Sequence, residues 1–131
     1  MKELEGARAA ELSRKTNETE IYVSLNLDGS GIYEISTGIP FFDHMLEQLG
    51  RHSGFDLIVK ARGDIQVDSH HTVEDVGIVL GKVFQQCTRD KKGIARYGST
   101  MLPMDDSLCT AAVDFCGRAN LVYNCGLLQG T

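Results

Sequence analysis

The stretch Asp68-Ser69-His70-His71-Thr72-Val73-Glu74-Asp75 places the strongest constraint on how this chain folds. Its first two residues, Asp68 and Ser69, are both of a type that caps a helix. Apolar residues then recur with the period of a helix: Val73, Val76, Leu80, Val83, Phe84 and Cys87. The sequence therefore predicts an amphipathic helix that begins at the histidine pair and runs to about Cys87.

The polar side chains of this first turn have the spacing of a metal site. Neighbouring side chains on a helix point about 100° apart, so His70 and His71 do not easily bind one ion. His70 and Glu74 are four residues apart and can chelate one ion, while His71 is offered to another. The alternative is a polar turn whose acids are favoured by the helix dipole. Two histidines and a glutamate at this spacing favour metal binding.

Composition limits the class of protein. The 131 residues suit one domain (1–131), and 42% apolar with 24% charged residues is ordinary for a soluble globular protein. A net charge of −5 argues against nucleic-acid binding, and no apolar run is long enough to span a membrane. The N-terminus resembles neither a signal peptide nor a transit peptide. Four cysteines without a C-x-x-C pair are expected to be reduced thiols in a cytoplasmic protein.

The first third of the chain predicts a charged arm followed by a hairpin. A short helix is expected from Glu3 to Lys15. Thr19–Leu27 alternates apolar and polar residues, as a half-buried strand does. Asp28-Gly29-Ser30-Gly31 is a strong turn signal, so Ile32–Ser36 is expected to return as the second strand of a hairpin.

The middle of the chain predicts a helix, a strand and the motif helix. Pro40 suits the first position of a helix, which carries three polar residues at a spacing of four: His44, Gln48 and His52. Phe55–Arg62 is expected to be a strand, with a short extension at Ile65 and Val67. Ile94–Thr100 is expected to be a connection, and Ser107–Cys116 and Asn120–Asn124 to form a second hairpin.

The sequence resembles the imidazoleglycerol-phosphate dehydratases, enzymes of histidine biosynthesis, over nearly everything from Thr16 onward. The resemblance is carried by four stretches: residues 36–46 (STGIPFFDHML), 68–75 (DSHHTVED), 94–98 (IARYG) and 114–118 (DFCGR). It implies an α+β fold in which a unit of one sheet and two helices is duplicated, each half being ribosomal protein S5 domain 2-like. The first repeat would span about residues 16–93. Residues 94–131 would be the start of a second, incomplete repeat.

The resemblance also implies ligands and residue roles. It implies two Mn²⁺ ions in sites between subunits of a large symmetric homo-oligomer, with four metal ligands in this chain: His44, His70, His71 and Glu74. Glu18 would act as catalytic acid or base on the glycerol portion of the substrate, alongside the ligand Glu74. Gln48 and His52 would line the substrate site. Arg96 and Arg118 would hold the phosphate through paired donors.

Taken without the resemblance, several of these residues have ordinary interpretations. His44 suits a polar helix face, and His52 suits a cation near a helix C-terminus. Arg96 and Arg118 stand next to turns, where exposed arginine is common, and Glu18 looks like a solvated acid.

The implied reaction converts imidazoleglycerol phosphate to imidazole acetol phosphate, with metal ions acting as Lewis acids and Glu18 moving a proton. The family pattern continues beyond Thr131, with a second His-His-x-x-Glu motif that this sequence lacks. We therefore also keep a truncated, non-catalytic metal-binding or assembly subunit as an alternative. A hydrolase using the same two-metal arrangement is a third class, which the resemblance disfavours.

Overall fold

The computed structural model describes residues 8–125, which divide between two compact units, Met1–Asp90 and Lys91–Thr131. The first unit contains β1 (Ala9–Lys15), β2 (Thr19–Asn26), β3 (Tyr33–Ser36), α1 (Pro40–Ser53), β4 (Asp56–Gly63) and α2 (His70–Thr88). The second contains β5 (Tyr97–Met104) and β6 (Ser107–Asp114). The predicted α+β class, with a sheet backed by two helices, is confirmed. The division into two repeats stays a prediction.

The sheet of the first unit has the strand order β1-β2-β4-β3. β2 pairs antiparallel with both β1 and β4, and β3 runs parallel to β4. The predicted alternation of β2 is confirmed, because Ile21, Val23 and Leu25 are at most 1% exposed. Their partners across the ladder are Ala61, Val59 and Leu57, so β2 and β4 present one apolar face.

Both helices pack on this apolar face. Pro40 begins α1, as predicted, and Gly54 ends it in the left-handed conformation at φ 74°. One cluster of buried side chains joins the helices to the sheet: Ile21, Val23, Leu25, Leu46, Leu57, Val59, Val76, Val79, Val83 and Cys87. Of the apolar series that predicted α2, Val76, Val83 and Cys87 are buried in this cluster and Leu80 and Phe84 pack against it, whereas Val73 is exposed. Within the described residues, no helix has the length and apolar character needed to cross a membrane.

The prediction of a helix from Glu3 to Lys15 was wrong for the residues that can be judged. Residues 9–15 form β1, while residues 1–7 lie outside the described part of the chain. Ala, Glu, Leu, Arg and Lys all favour helix locally. The whole of β1 pairs with β2, from Ala9↔Asn26 to Lys15↔Glu20, which satisfies the backbone of this segment as a strand instead.

The predicted hairpin between Thr19–Leu27 and Ile32–Ser36 was also wrong. β3 does not pair with β2, whose two edges are occupied by β1 and β4. The Asp56 carboxylate accepts the N–H groups of Ser30 (2.9 Å) and Ile32 (3.0 Å), which directs the loop past the end of β4. The chain therefore reaches the far edge of β4, where β3 runs parallel.

The second unit is a hairpin whose strands differ from the prediction. β5 and β6 pair antiparallel from Tyr97↔Asp114 to Met104↔Ser107. β5 thus begins inside the stretch predicted to be a connection, and residues 120–124 form no strand. Every residue of β5 and β6 is exposed.

In the first unit, Ile65 and Val67 lie in a turn, where the sequence predicted a short strand extension. The Val67 N–H donates to the Asp64 carbonyl at 2.8 Å and closes this turn.

Candidate functional site

Three of the four candidate metal ligands, His70, His71 and Glu74, lie at the start of α2, as the sequence predicts. The Asp68 carboxylate accepts the His70 N–H at 2.8 Å and so caps the helix, whereas Ser69 makes no side-chain cap. The rings of His70 and His71 are both exposed, with centroids 5.6 Å apart and planes at 71°. The two imidazoles therefore point in different directions from one helical turn.

His70 and Glu74 form a pair on one side of this turn. The Nε2 atom of His70 lies 3.0 Å from Oε2 of Glu74. Two adjacent ligands of an octahedral ion with bonds of about 2.1 Å are separated by about 3 Å. The contact in the structure is a direct one between imidazole and carboxylate, and its length is also compatible with two neighbouring ligands of one ion.

His71 is held by a residue that sequence reasoning missed. Its Nδ1 lies 2.9 Å from Oδ2 of Asp64, which follows β4. The hydrogen bond and the negative charge of Asp64 raise the pKa of the His71 imidazole above 6.5, and Glu18 and Asp68 add smaller contributions in the same direction. The sequence showed Asp64 only as the second residue of a Gly-Asp turn, so nothing local signalled its contact with His71.

A close approach between β4 and α2 sets the distance from Asp64 to the histidine pair. Gly63 has no room for a side chain, because a Cβ there would lie 1.9 Å from Oγ1 of the fully buried Thr72. Asp64 is therefore carried directly against the first turn of α2, beside His71.

Glu18 lies in the turn between β1 and β2, at the end of the sheet that also carries Asp64. Glu18 and Asp64 line one open, polar depression, together with Thr16, Asn17 and Gln66. Glu18 is close enough to His71 for its charge to contribute to the raised pKa of that imidazole. The structure thus brings Glu18, Asp64 and His71 together.

The three polar residues of α1 form a separate row. His44 and His52 are exposed, and the Nε2 atom of His52 lies 3.2 Å from Oε1 of Gln48. Within residues 8–125, no three His, Cys, Asp or Glu side chains converge as one set of metal ligands, so His44 does not join His70, His71 and Glu74. The site of this chain consists of paired donors.

The two predicted phosphate ligands lie in the second unit. Arg96 makes a two-pronged contact with Asp114, Nε to Oδ1 at 2.8 Å and Nη2 to Oδ2 at 3.3 Å. Its guanidinium carbon is also 5.0 Å from the centre of the Tyr97 ring. Arg118 is exposed beyond β6, and its carbonyl accepts the Cys116 thiol at 3.7 Å. Arg96 is therefore oriented by a carboxylate.

A four-stranded sheet with two helices, and histidine–carboxylate pairs at one helix start, define an α+β protein with a candidate metal centre. The family model for imidazoleglycerol-phosphate dehydratase matches residues 37–130. The chain therefore belongs to the imidazoleglycerol-phosphate dehydratase family.

Individual relatives agree with this assignment. The imidazoleglycerol-phosphate dehydratase of Trichlorobacter lovleyi is 54% identical over 120 residues, which are 92% of this chain and 62% of the relative. The histidine biosynthesis bifunctional protein HisB of Bacteroides fragilis is 56% identical over 119 residues, or 91% of this chain and 32% of that protein.

A solved structure shows the same fold. The crystal structure of imidazoleglycerol-phosphate dehydratase from Staphylococcus aureus superposes with a TM-score of 0.79 at 35% identity. The match covers 91% of this chain and 64% of that one. The chain thus spans less than two thirds of the length of these proteins.

Proposed function

We propose that this chain takes part in the dehydration of imidazoleglycerol phosphate to imidazole acetol phosphate, a cytoplasmic step of histidine biosynthesis. The observation that carries the proposal is the pairing of His71 with Asp64, beside Glu18, in a chain of this family. This arrangement offers an imidazole held by Asp64, and the carboxylates of Asp64 and Glu18 line one polar depression.

In this proposal manganese is the metal, and its ligands in this chain are His44, His70, His71 and Glu74. The imidazole and carboxylate donors suit Mn²⁺, and the His70–Glu74 separation of 3.0 Å suits two adjacent ligands. Bound manganese would supply Lewis-acid stabilisation of charge on the substrate imidazole. Because no three ligands converge within residues 8–125, a complete shell needs side chains from elsewhere. A large symmetric homo-oligomer with sites between subunits would provide them.

Two carboxylates of this chain, those of Glu18 and Glu74, have separate roles in the proposed reaction. Loss of water requires that a proton leave a carbon of the glycerol chain and that a hydroxyl group depart with a proton. The Glu18 carboxylate can hold that proton, because it borders the depression beside His71. Glu74 serves catalysis as a ligand paired with His70.

Substrate binding is assigned to two further pairs. Gln48 and His52 are in contact on α1 and would line the substrate site. Arg96 and Arg118 would bind the phosphate, with Asp114 orienting the guanidinium of Arg96, whose side chain is about half exposed. A guanidinium binds phosphate through two parallel donors.

The second candidate function is a non-catalytic metal-binding or assembly subunit. It is favoured by the paired donors, which stop short of a three-ligand set within residues 8–125.

A single assay separates these functions. The purified chain is supplied with Mn²⁺ and imidazoleglycerol phosphate, and the acetol product is measured beside the same assay on a chain of the relatives' full length. Product formation by either chain that depends on Glu18 and on manganese supports the dehydratase, and product from the longer chain alone is the expected result, because no three ligands converge within residues 8–125. Manganese binding without product from either chain supports the assembly subunit, and neither binding nor product refutes both.

A further inference from the structure

Asp75 is a buried acid for which the proposed mechanism has no use. Its side chain is 12% exposed, and it forms an ion pair with Arg14 of β1. It also accepts a hydrogen bond from the hydroxyl of Thr19, the first residue of β2. One carboxylate of α2 is thus attached to both strands that flank the Glu18 turn.

The turn itself is organised by the hydroxyl of Thr16. This oxygen accepts the N–H groups of Glu18 (3.2 Å) and Thr19 (3.0 Å), and the Thr16 N–H donates to the Thr19 carbonyl (2.9 Å). The hydroxyls of Thr16 and Thr19 are 3.1 Å apart. Two threonines therefore fix the backbone that carries Glu18.

The donors and acceptors of this network allow one direction for its hydroxyl protons. The Thr19 proton is given to Asp75, so the Thr16 hydroxyl must donate to Thr19. The Thr16 oxygen then accepts both backbone N–H groups. A carboxylate at the end of such a chain polarises every bond in it, which stiffens the turn.

Asp75 lies on the same helix as His71, so the network connects the Glu18 turn to the helix that carries the candidate site. His71 and Asp75 are four residues apart, so they lie on the same side of the helix. The helix face that presents His71 is therefore the face that anchors the Glu18 turn.

We propose that Asp75 is a positioning residue, which acts through Thr19 and Thr16 to hold Glu18 beside His71. The inference rests on the proposed function for its catalytic consequence. Its structural part, the anchoring of the turn, is tested without turnover.

The test compares three variants of the 131-residue chain. Thr19→Val removes the bridging hydroxyl at nearly constant shape, and Thr19→Ser retains it. Thr88→Val is the matched control, since Thr88 is also buried and its hydroxyl donates only within α2, to the carbonyls of Phe84 and Gln85. Amide hydrogen exchange at Glu18 and Thr19 is followed by NMR.

We expect exchange at both amides to rise about tenfold or more in Thr19→Val, the equivalent of one hydrogen bond to a charged group. Thr19→Ser should restore slow exchange, and Thr88→Val should leave these two amides unchanged. Unchanged exchange in Thr19→Val overturns the inference, whatever the chain catalyses.

The catalytic part is measured in a chain of the relatives' full length. Thr19→Val and Asp75→Asn should lower kcat about tenfold or more with manganese content and KM retained. Full turnover in Thr19→Val despite fast exchange would overturn the positioning role. Absence of turnover in the unsubstituted chain would refute the proposed function, while amide exchange at Glu18 and Thr19, measured in Asp75→Asn as well as in Thr19→Val, still decides whether Asp75 anchors the turn through Thr19.

Discussion

The Nδ1 atom of His71 lies 2.9 Å from Oδ2 of Asp64, which leaves Nε2 as the ring nitrogen free to bind a ligand. Ligating histidines commonly donate their other ring N–H to a carboxylate, which fixes the ring and raises its basicity. We therefore expect Asp64→Asn to weaken Mn²⁺ binding about 10- to 100-fold, measured by calorimetric titration. Asp106→Asn, in the exposed β5–β6 turn, is the control. Equal affinities in the two variants would contradict this role.

The same contact makes a prediction about pH. Because Asp64 raises the pKa of His71 above 6.5 in the folded chain, the protonated ring stabilises the fold below the unfolded pKa. This contribution is lost as the pH rises through the folded pKa. As the pH rises from about 5 to about 9, the metal-free unsubstituted protein should therefore lose more unfolding free energy than the metal-free Asp64→Asn variant. Urea unfolding at a series of pH values measures this difference. Parallel pH profiles would contradict it.

Removing a ligand should affect metal content more than folding. His71→Asn and Glu74→Gln change exposed side chains of the first turn of α2, so the core is left intact. We expect manganese content to fall sharply in both, with circular dichroism unchanged. Glu34→Gln, which breaks the exposed pair with Lys60, should retain its metal. Unchanged manganese content in both ligand variants would reject this assignment.

The two arginines should act on phosphate binding. In a chain of the relatives' full length, Arg96→Ala and Arg118→Ala should each weaken binding of phosphorylated substrate about tenfold or more, because each removes a charge-assisted contact. Metal content should not change. Asp114→Asn separates the orientation of Arg96 from its charge, because it weakens the contact with the Asp114 carboxylate but keeps the guanidinium. A substrate analogue without phosphate should bind all variants equally; equal losses would mean that the arginines act on structure.

The Gly63–Thr72 approach should be sensitive to a single methyl group. Gly63→Ala places a Cβ 1.9 Å from Oγ1 and 3.2 Å from Cβ of Thr72, so the buried Thr72 side chain or the backbone must shift. We expect a loss of about 1–3 kcal/mol of unfolding free energy, as in overpacked cores. Gly77→Ala is the matched control, since nothing lies within 4 Å of its Cβ position, and it should gain up to about 1 kcal/mol.

The 131-residue chain is expected to be inactive as a dehydratase by itself, because no three metal ligands converge within residues 8–125. It is also expected to self-associate. Val113 of β6, and Phe115 and Val122 beyond it, are exposed, at 53%, 36% and 76%. A two-stranded hairpin is marginal in water, and uncovered apolar strands favour association. Turnover comparable to that of a chain of the relatives' full length would contradict the inactivity. A monomer by light scattering would contradict the association.

Local sequence patterns predicted those elements whose own residues determine them. β2 has strict alternation, and α1 and α2 have apolar residues at helical spacing, so their type and approximate bounds followed directly. β1 has helix-forming residues and becomes a strand only because β2 offers a free edge. β3 follows a strong turn signal, yet Asp56, distant in sequence, redirects it to β4. Such pairings are properties of the assembled sheet.

The same division applies to the site. The pair of His70 with Glu74 was predictable, because both residues lie on one helix. The partners of His71 and Thr19 were not, because Asp64 and Asp75 reach them from other elements. The contacts are observed, but every assigned role stays a prediction: those of Glu18, His44, Gln48, His52, His70, His71, Glu74, Arg96 and Arg118.

The strand order β1-β2-β4-β3 bears on where an expression fragment can begin. The family match starts at residue 37, after the first three strands. A fragment cloned from that border would keep β4 but lose both neighbours that pair with it, along with the buried side chains of β2. The start of the family model and the start of a foldable polypeptide therefore differ here by three of the four strands of the sheet.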